Sequence, residues 1–152
     1  MKDLLVDSLR GQREHVLGIL EGLPDEALLR PVLPSGWNCL ALVSHLTHDV
    51  ERFWFQGVVA GRVEAQETDG WNQELGDSAR IIGYYRTSIA EADRIIEATA
   101  LDRPPVWWPP YFPTGHRDLG QTLLHVITET ACHAGHLDAA RELLDGRRWL
   151  VL

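Results

Sequence analysis

Apolar residues recur at helical spacing along most of the chain, and no stretch shows the two-residue alternation of a strand. The first helix is predicted from about Leu4 to Leu20, with Leu4, Leu5, Leu9, Val16, Leu17 and Leu20 on its stripe and Gly22 and Pro24 ending it. A turn-rich connection follows, through Pro31, Pro34, Ser35 and Gly36. The second helix starts at Asn38, a good N-cap, and runs to about Ala60, before Gly61. Its stripe is Leu42, Val43, Leu46, Val50, Phe53 and Gly57. The third runs from about Asn72 or Asp77 to Ala100, carrying Ile81, Ile82, Tyr85, Ile89, Ile95 and Ile96. The fourth starts near Asp118 and ends at Leu144, with Gly146 beyond it. Leu119, Leu123, Val126, Ile127, Thr130, Ala134, Leu137 and Ala140 form its stripe. Four such rods around one core predict an all-α four-helix bundle, one domain over residues 1–152.

One segment breaks the pattern. Between the third and fourth helices lies RPPVWWPPYFPTGHR, residues 103–117, whose five prolines forbid regular helix. Trp107, Trp108, Tyr111 and Phe112 are costly to leave in water, so the segment is expected to pack back on the bundle. A lid or an interface patch is the functional alternative.

Charge and composition narrow the function. Fourteen basic and 22 acidic residues give a net charge of −8. The basic residues are scattered, which argues against nucleic-acid binding. No apolar run approaches a membrane span, and the start, MKDLLVDSLR, has no leader-like apolar stretch. Cys39 and Cys132 are too few for a disulfide framework, so a reducing cytoplasm is expected. Cys39 falls in the first turn of the second helix, and Cys132 reads as a small buried residue. No phosphate loop, GxSxG elbow or HExxH motif is present.

The candidate chemistry lies in the histidines. Glu129 and His133 are one turn apart on the fourth helix, and His136 is one turn further. All three flank the apolar stripe and so point toward a seam between helices. On the second helix, His45 and Asp49 also flank the stripe, whereas His48 falls farther round toward solvent. Ser44 points about 100° away from His45, which argues against a serine–histidine pair. His15, His116 and His125 read as ordinary polar positions. His45, Glu129 and His133 would give two nitrogens and an oxygen with coordination positions left open, as in a catalytic divalent-metal site. Core histidines satisfied by hydrogen bonds, or a plain Glu–His pair, account for the same spacing.

Three segments carry a family resemblance: SGW at Ser35–Trp37, SHLTHDVERFWF at Ser44–Phe55, and ETACHAGHLDAARELLDG at Glu129–Gly146. In these the chain resembles the DinB-like superfamily of metal-binding four-helix bundles. It is most similar to the branch holding mycothiol-dependent maleylpyruvate isomerase and the mycothiol or bacillithiol S-transferases. The resemblance implies a divalent metal, zinc or nickel, held by His45, Glu129 and His133. It places His136 as a fourth ligand, a substitute for Glu129, a proton shuttle or a support behind the ligands. It further implies a low-molecular-weight thiol as co-substrate, bound to the metal as thiolate and attacking an electrophile, with transfer or isomerisation as the outcome. His136 or Asp49 would then move protons or orient a ligand. A non-enzymatic metal-binding stress-response bundle is the alternative, and a metal-free interaction module a third. Wide apolar faces leave room for a homodimer.

Overall fold

In a computed structural model, residues 1–149 are described, and all their regular secondary structure is helical. The last three positions of the expected domain lie outside the described residues. Helix α1 spans Lys2–Leu20, α2 Asp25–Leu28, α3 Cys39–His45, α4 Ser78–Ala98 and α5 Leu119–Asp145. The short α2 has no counterpart in the sequence reading, where its few residues lie in a turn-rich connection.

The predicted second helix is continuous but changes its winding. After α3 the chain runs on as a π-helix over Leu46–Val59, with wider turns than an α-helix. Two single turns of 3-10 helix, Val63–Ala65 and Gly70–Asn72, follow before α4.

The caps are those the sequence announces. Asn38 Oδ1 accepts from Ala41 N at 2.9 Å, and Asp118 Oδ1 accepts from Gln121 N at 2.9 Å. Asp77, the second of the two candidate starts, accepts from Ala79 N and Arg80 N. Each cap satisfies N–H groups that a helix start leaves without partners. Helix α4 ends two residues earlier than expected, at Ala98. Gly146 closes α5 in the left-handed region, φ 79°, where a side chain would be strained.

Helix α1 packs along α5, the π segment along α4, and α5 against the π segment. Leu9, Val16, Leu42, Leu46, Phe55, Tyr85, Leu123, Val126 and Leu137 are buried at their centre. Each large apolar side chain there is worth about 1.5–3 kcal/mol relative to exposure. Leu4, placed on the first stripe, is instead 64% exposed, because it lies beyond the faces that meet. In the proline-rich segment, Trp107 and Trp108 pack on the core. Its backbone is tied down by Val106 N to Val59 O and Trp107 N to Val58 O, at 3.3 and 3.2 Å. Phe112 rests one face on Trp54 and stays partly exposed, and Tyr111 stays at the surface, so the packing expected for all four aromatics holds for the tryptophans and in part for Phe112.

Two buried guanidinium groups lock the frame. Arg13 of α1 forks onto Glu51 of the π segment through two 2.6 Å hydrogen bonds and also reaches Asp93 of α4 at 2.7 Å. Arg141 of α5 donates to Ile19 O and Glu21 O, carbonyls that the end of α1 leaves open. A buried pair of this kind is neutral overall, yet removing one partner strands the other charge.

Candidate metal centre

The site grows from two elements of unlike character. Helix α5 is a regular α-helix, so Glu129 and His133 stack one turn apart, with His133 Nε2 at 3.2 Å from Glu129 Oε1. His45 arrives from the opposite side, as the last residue of α3 where the winding widens. Its Nε2 lies 3.8 Å from Glu129 Oε1, and its ring meets that of His133 edge-on at 4.8 Å. The ligand atoms of the three residues all lie within 4.8 Å of one another. Two imidazoles and a carboxylate this close fit a divalent cation, whose bonds to such groups run about 2.0–2.2 Å.

His45 is held from behind. Its Nδ1–H donates to Asp49 Oδ2 at 2.7 Å, since a carboxylate only accepts, and this leaves Nε2 to face the centre. Asp49 is itself fixed by the backbone N–H of Gly70 at 2.9 Å. A Cβ at Gly70 would lie 2.7 Å from both Asp49 Oδ2 and His45 Cα, so only glycine lets this turn approach. The next residue, Trp71, stacks on the His45 ring at 4.6 Å and 19°. Asp49 therefore positions His45. Neither Gly70 nor Trp71 was anticipated, because they lie more than twenty residues downstream in a segment without periodicity.

A model of the mycothiol S-transferase family matches residues 4–146. The chain belongs to that family. Searches of curated proteins and of solved structures return no match. Membership also sets this mycothiol S-transferase relative within the DinB-like superfamily.

In this family member the electrostatics of the centre follow from its pairing. Hydrogen bonds from His133 and then His45 hold the Glu129 carboxyl well below the usual carboxylate range, against a smaller opposing effect of burial. Burial works against a charged ring at His45, yet Asp49 and Glu129 together outweigh it and raise its pKa. Burial likewise opposes the Asp49 charge, while His45 and the loop at Thr68 and Gly70 more than offset it and lower its pKa. The site thus favours anionic carboxylates around a place for positive charge.

The remaining sequence candidates sort by position. His136 is exposed and outside the triad, its Nδ1 at 3.4 Å from His133 Nδ1, the nitrogen facing away from Glu129. The expectation that it faces the inter-helix seam is corrected: one further turn carries it out to the rim. Cys132 is exposed, not buried, because α5 turns that side away from both neighbours. His48 is half-buried, so the expectation that it turns toward solvent holds in part. It lines a cavity of about 110 Å³ with Ser44, Thr47 and Arg80, and burial lowers its pKa.

His116 and His125 are not ordinary polar positions. Both rings lie against Trp54, at 4.9 and 4.3 Å. Trp108 and Phe112 complete the cluster, Phe112 stacking on Trp54 at 6.0 Å and 13°. Burial lowers the pKa of both histidines. His125 is one turn before Glu129 on α5, so an aromatic wall adjoins the triad. The wall escaped the sequence reading because its members come from three distant segments.

Proposed function

We propose that the protein is a divalent-metal-dependent S-transferase that uses mycothiol, built as a single four-helix bundle of the DinB type. One observation carries this reading: His45, Glu129 and His133, from two separate helices, bring their ligand atoms within 4.8 Å of one another in a chain of the mycothiol S-transferase family. Three protein ligands leave coordination positions free for a substrate, as catalytic sites do.

A bound divalent cation, zinc or nickel, lowers the pKa of a coordinated thiol and so presents a thiolate at neutral pH. The protein's own groups do the rest. Asp49 keeps the proton on His45 Nδ1, so the Nε2 lone pair faces the centre. His133 Nδ1 lies 3.4 Å from His136 Nδ1, a contact that would orient the His133 ring with Nε2 toward the centre. Trp71 covers one face of His45 and restricts water there. In the transfer, the thiol sulfur forms a bond to an electrophilic carbon. The displaced group leaves with its bonding pair, or, in an addition, the product carbanion takes a proton.

The test is metal analysis of protein purified without a histidine tag, followed by mycothiol consumption with a model electrophile. About one divalent ion per chain and metal-dependent thiol loss are expected. A metal-loaded protein that consumes no thiol overturns the transferase reading and leaves a metal-binding bundle. No helix among the described residues is long and apolar enough to cross a membrane, which agrees with cytoplasmic work on a small thiol.

A further inference from the structure

The triad has two unlike borders. On one lie groups that hydrogen-bond or orient: Asp49, Gly70 and His136. On the other lies the wall of Trp54, Trp108, Phe112, His116 and His125, reached one α5 turn, about 5.4 Å, from Glu129. The wall is more π-rich than packing requires. Trp54 is buried and forms its base, while Phe112 remains 41% exposed and Tyr111, beside it, 66% exposed. Among the described residues no guanidinium lies over any of these rings. Arg117, next to His116 in the chain, is exposed and pairs with Asp118 at 2.8 Å. The wall therefore presents flat ring faces with no guanidinium stacked on them among the described residues.

We infer that this wall is the acceptor subsite of the transferase, and that the acceptors it takes are planar, uncharged aromatic electrophiles. The inference rests on the thiol-transfer reading and adds the substrate class. An aromatic ring lying against the open face of Phe112 gains offset-stacked contact and excludes water from the face it covers. Its reactive carbon then lies on the side of the wall nearest Glu129, where the sulfur is presented. With a haloarene, the C–S bond forms as the carbon–halogen bond breaks. The halide leaves with the bonding pair, and the thiol proton passes to solvent. Among the described residues, no guanidinium over these rings is placed to pair with a carboxylate or phosphate on an acceptor.

The experiment compares chlorodinitrobenzene, flat and neutral, with iodoacetamide, neutral and aliphatic, as acceptors of mycothiol on the metal-loaded enzyme. Phe112→Ala, a surface change, is expected to lower the ratio of kcat/KM for the aromatic over the aliphatic acceptor at least about 5-fold, with the loss in KM. Phe112→Tyr is expected to restore the ratio. In a second arm, unreactive dinitrobenzene is titrated into the wild-type holoprotein by heteronuclear NMR. Saturable shifts at the Trp54 and Trp108 indole N–H groups are expected. An unchanged ratio overturns the inference, as do shifts confined to other tryptophans. If neither acceptor is consumed by wild-type enzyme, the transferase reading fails, and the titration alone decides whether the wall binds aromatic rings.

Discussion

The two halves of the metal centre are built in opposite ways. Helix α5 contributes Glu129 and His133 from consecutive turns of one regular helix, and their relative placement needs nothing else. His45 stands at a change of winding, and its ring is aimed by Asp49, Gly70 and Trp71, the last two more than twenty residues away. One half is specified by local periodicity, the other by tertiary contact. The first half should tolerate changes in its surroundings, and the second should fail when a distant support is altered.

The largest expected effect comes from removing a ligand ring from each half. His45→Ala combined with His133→Ala should reduce bound metal from about one ion per chain to under a tenth, read by elemental analysis after desalting. Full occupancy in that variant would end the account of the site. Next comes the frame beneath the His45 half. Arg13→Ala leaves Glu51 buried and unpaired and should cost about 3–5 kcal/mol in denaturant unfolding. An exposed pair such as Arg10–Asp7 should cost less than about 1 kcal/mol when broken.

The supports behind His45 sharpen the contrast further. Asp49→Asn and Gly70→Ala should each weaken metal affinity about 10- to 100-fold, as losses behind a ligand do. The effect should appear in competition with a chelating dye. His136→Ala, on the regular half, should change affinity by less than about 10-fold. A bound ion that ignores Asp49 and Gly70 would erase the distinction between the halves.

The smallest effect is in pH. In the metal-free protein, His45 has a raised pKa, so its contribution to stability is whole below its ordinary value of 6.5 and fades as pH rises through the folded value. Asp49 has a lowered pKa, so its contribution is whole above its ordinary value of 3.8 and fades as pH falls through the folded value. The stability difference between wild type and Asp49→Asn should therefore be largest between pH 3.8 and 6.5 and shrink on either side. A difference that stays unchanged from well below pH 3.8 to well above pH 6.5 would show that the pair is not coupled to folding.

The same contrast explains what could be read from residues alone. The α5 stripe from Leu119 to Ala140, its cap at Asp118 and the Glu129–His133 step follow from a 3.6-residue repeat, so they were visible. His45 was visible as a histidine beside a stripe, but its neighbours were not. Arg13 and Glu51 are 38 positions apart, and nothing local marks a charge that will be buried against another. The π winding over Leu46–Val59 leaves the apolar pattern readable as an ordinary helix, so nothing in the sequence marks the change of winding after His45. His116 and His125 look polar by type and became part of an aromatic cluster only when Trp54 was brought beside them. Cys132 went wrong for the converse reason: a small thiol has no preferred side when its stretch of helix is packed on one face only.

Trp71 gives the protein a built-in optical reporter. Its indole lies flat on the His45 ring at 4.6 Å, so an ion gripped by that imidazole sits within quenching range of a natural fluorophore. An open-shell cation such as nickel should darken its emission, and closed-shell zinc should leave it bright. The colourless question of which metal the protein carries thus becomes a matter of intensity, readable in a cuvette without label or crystal.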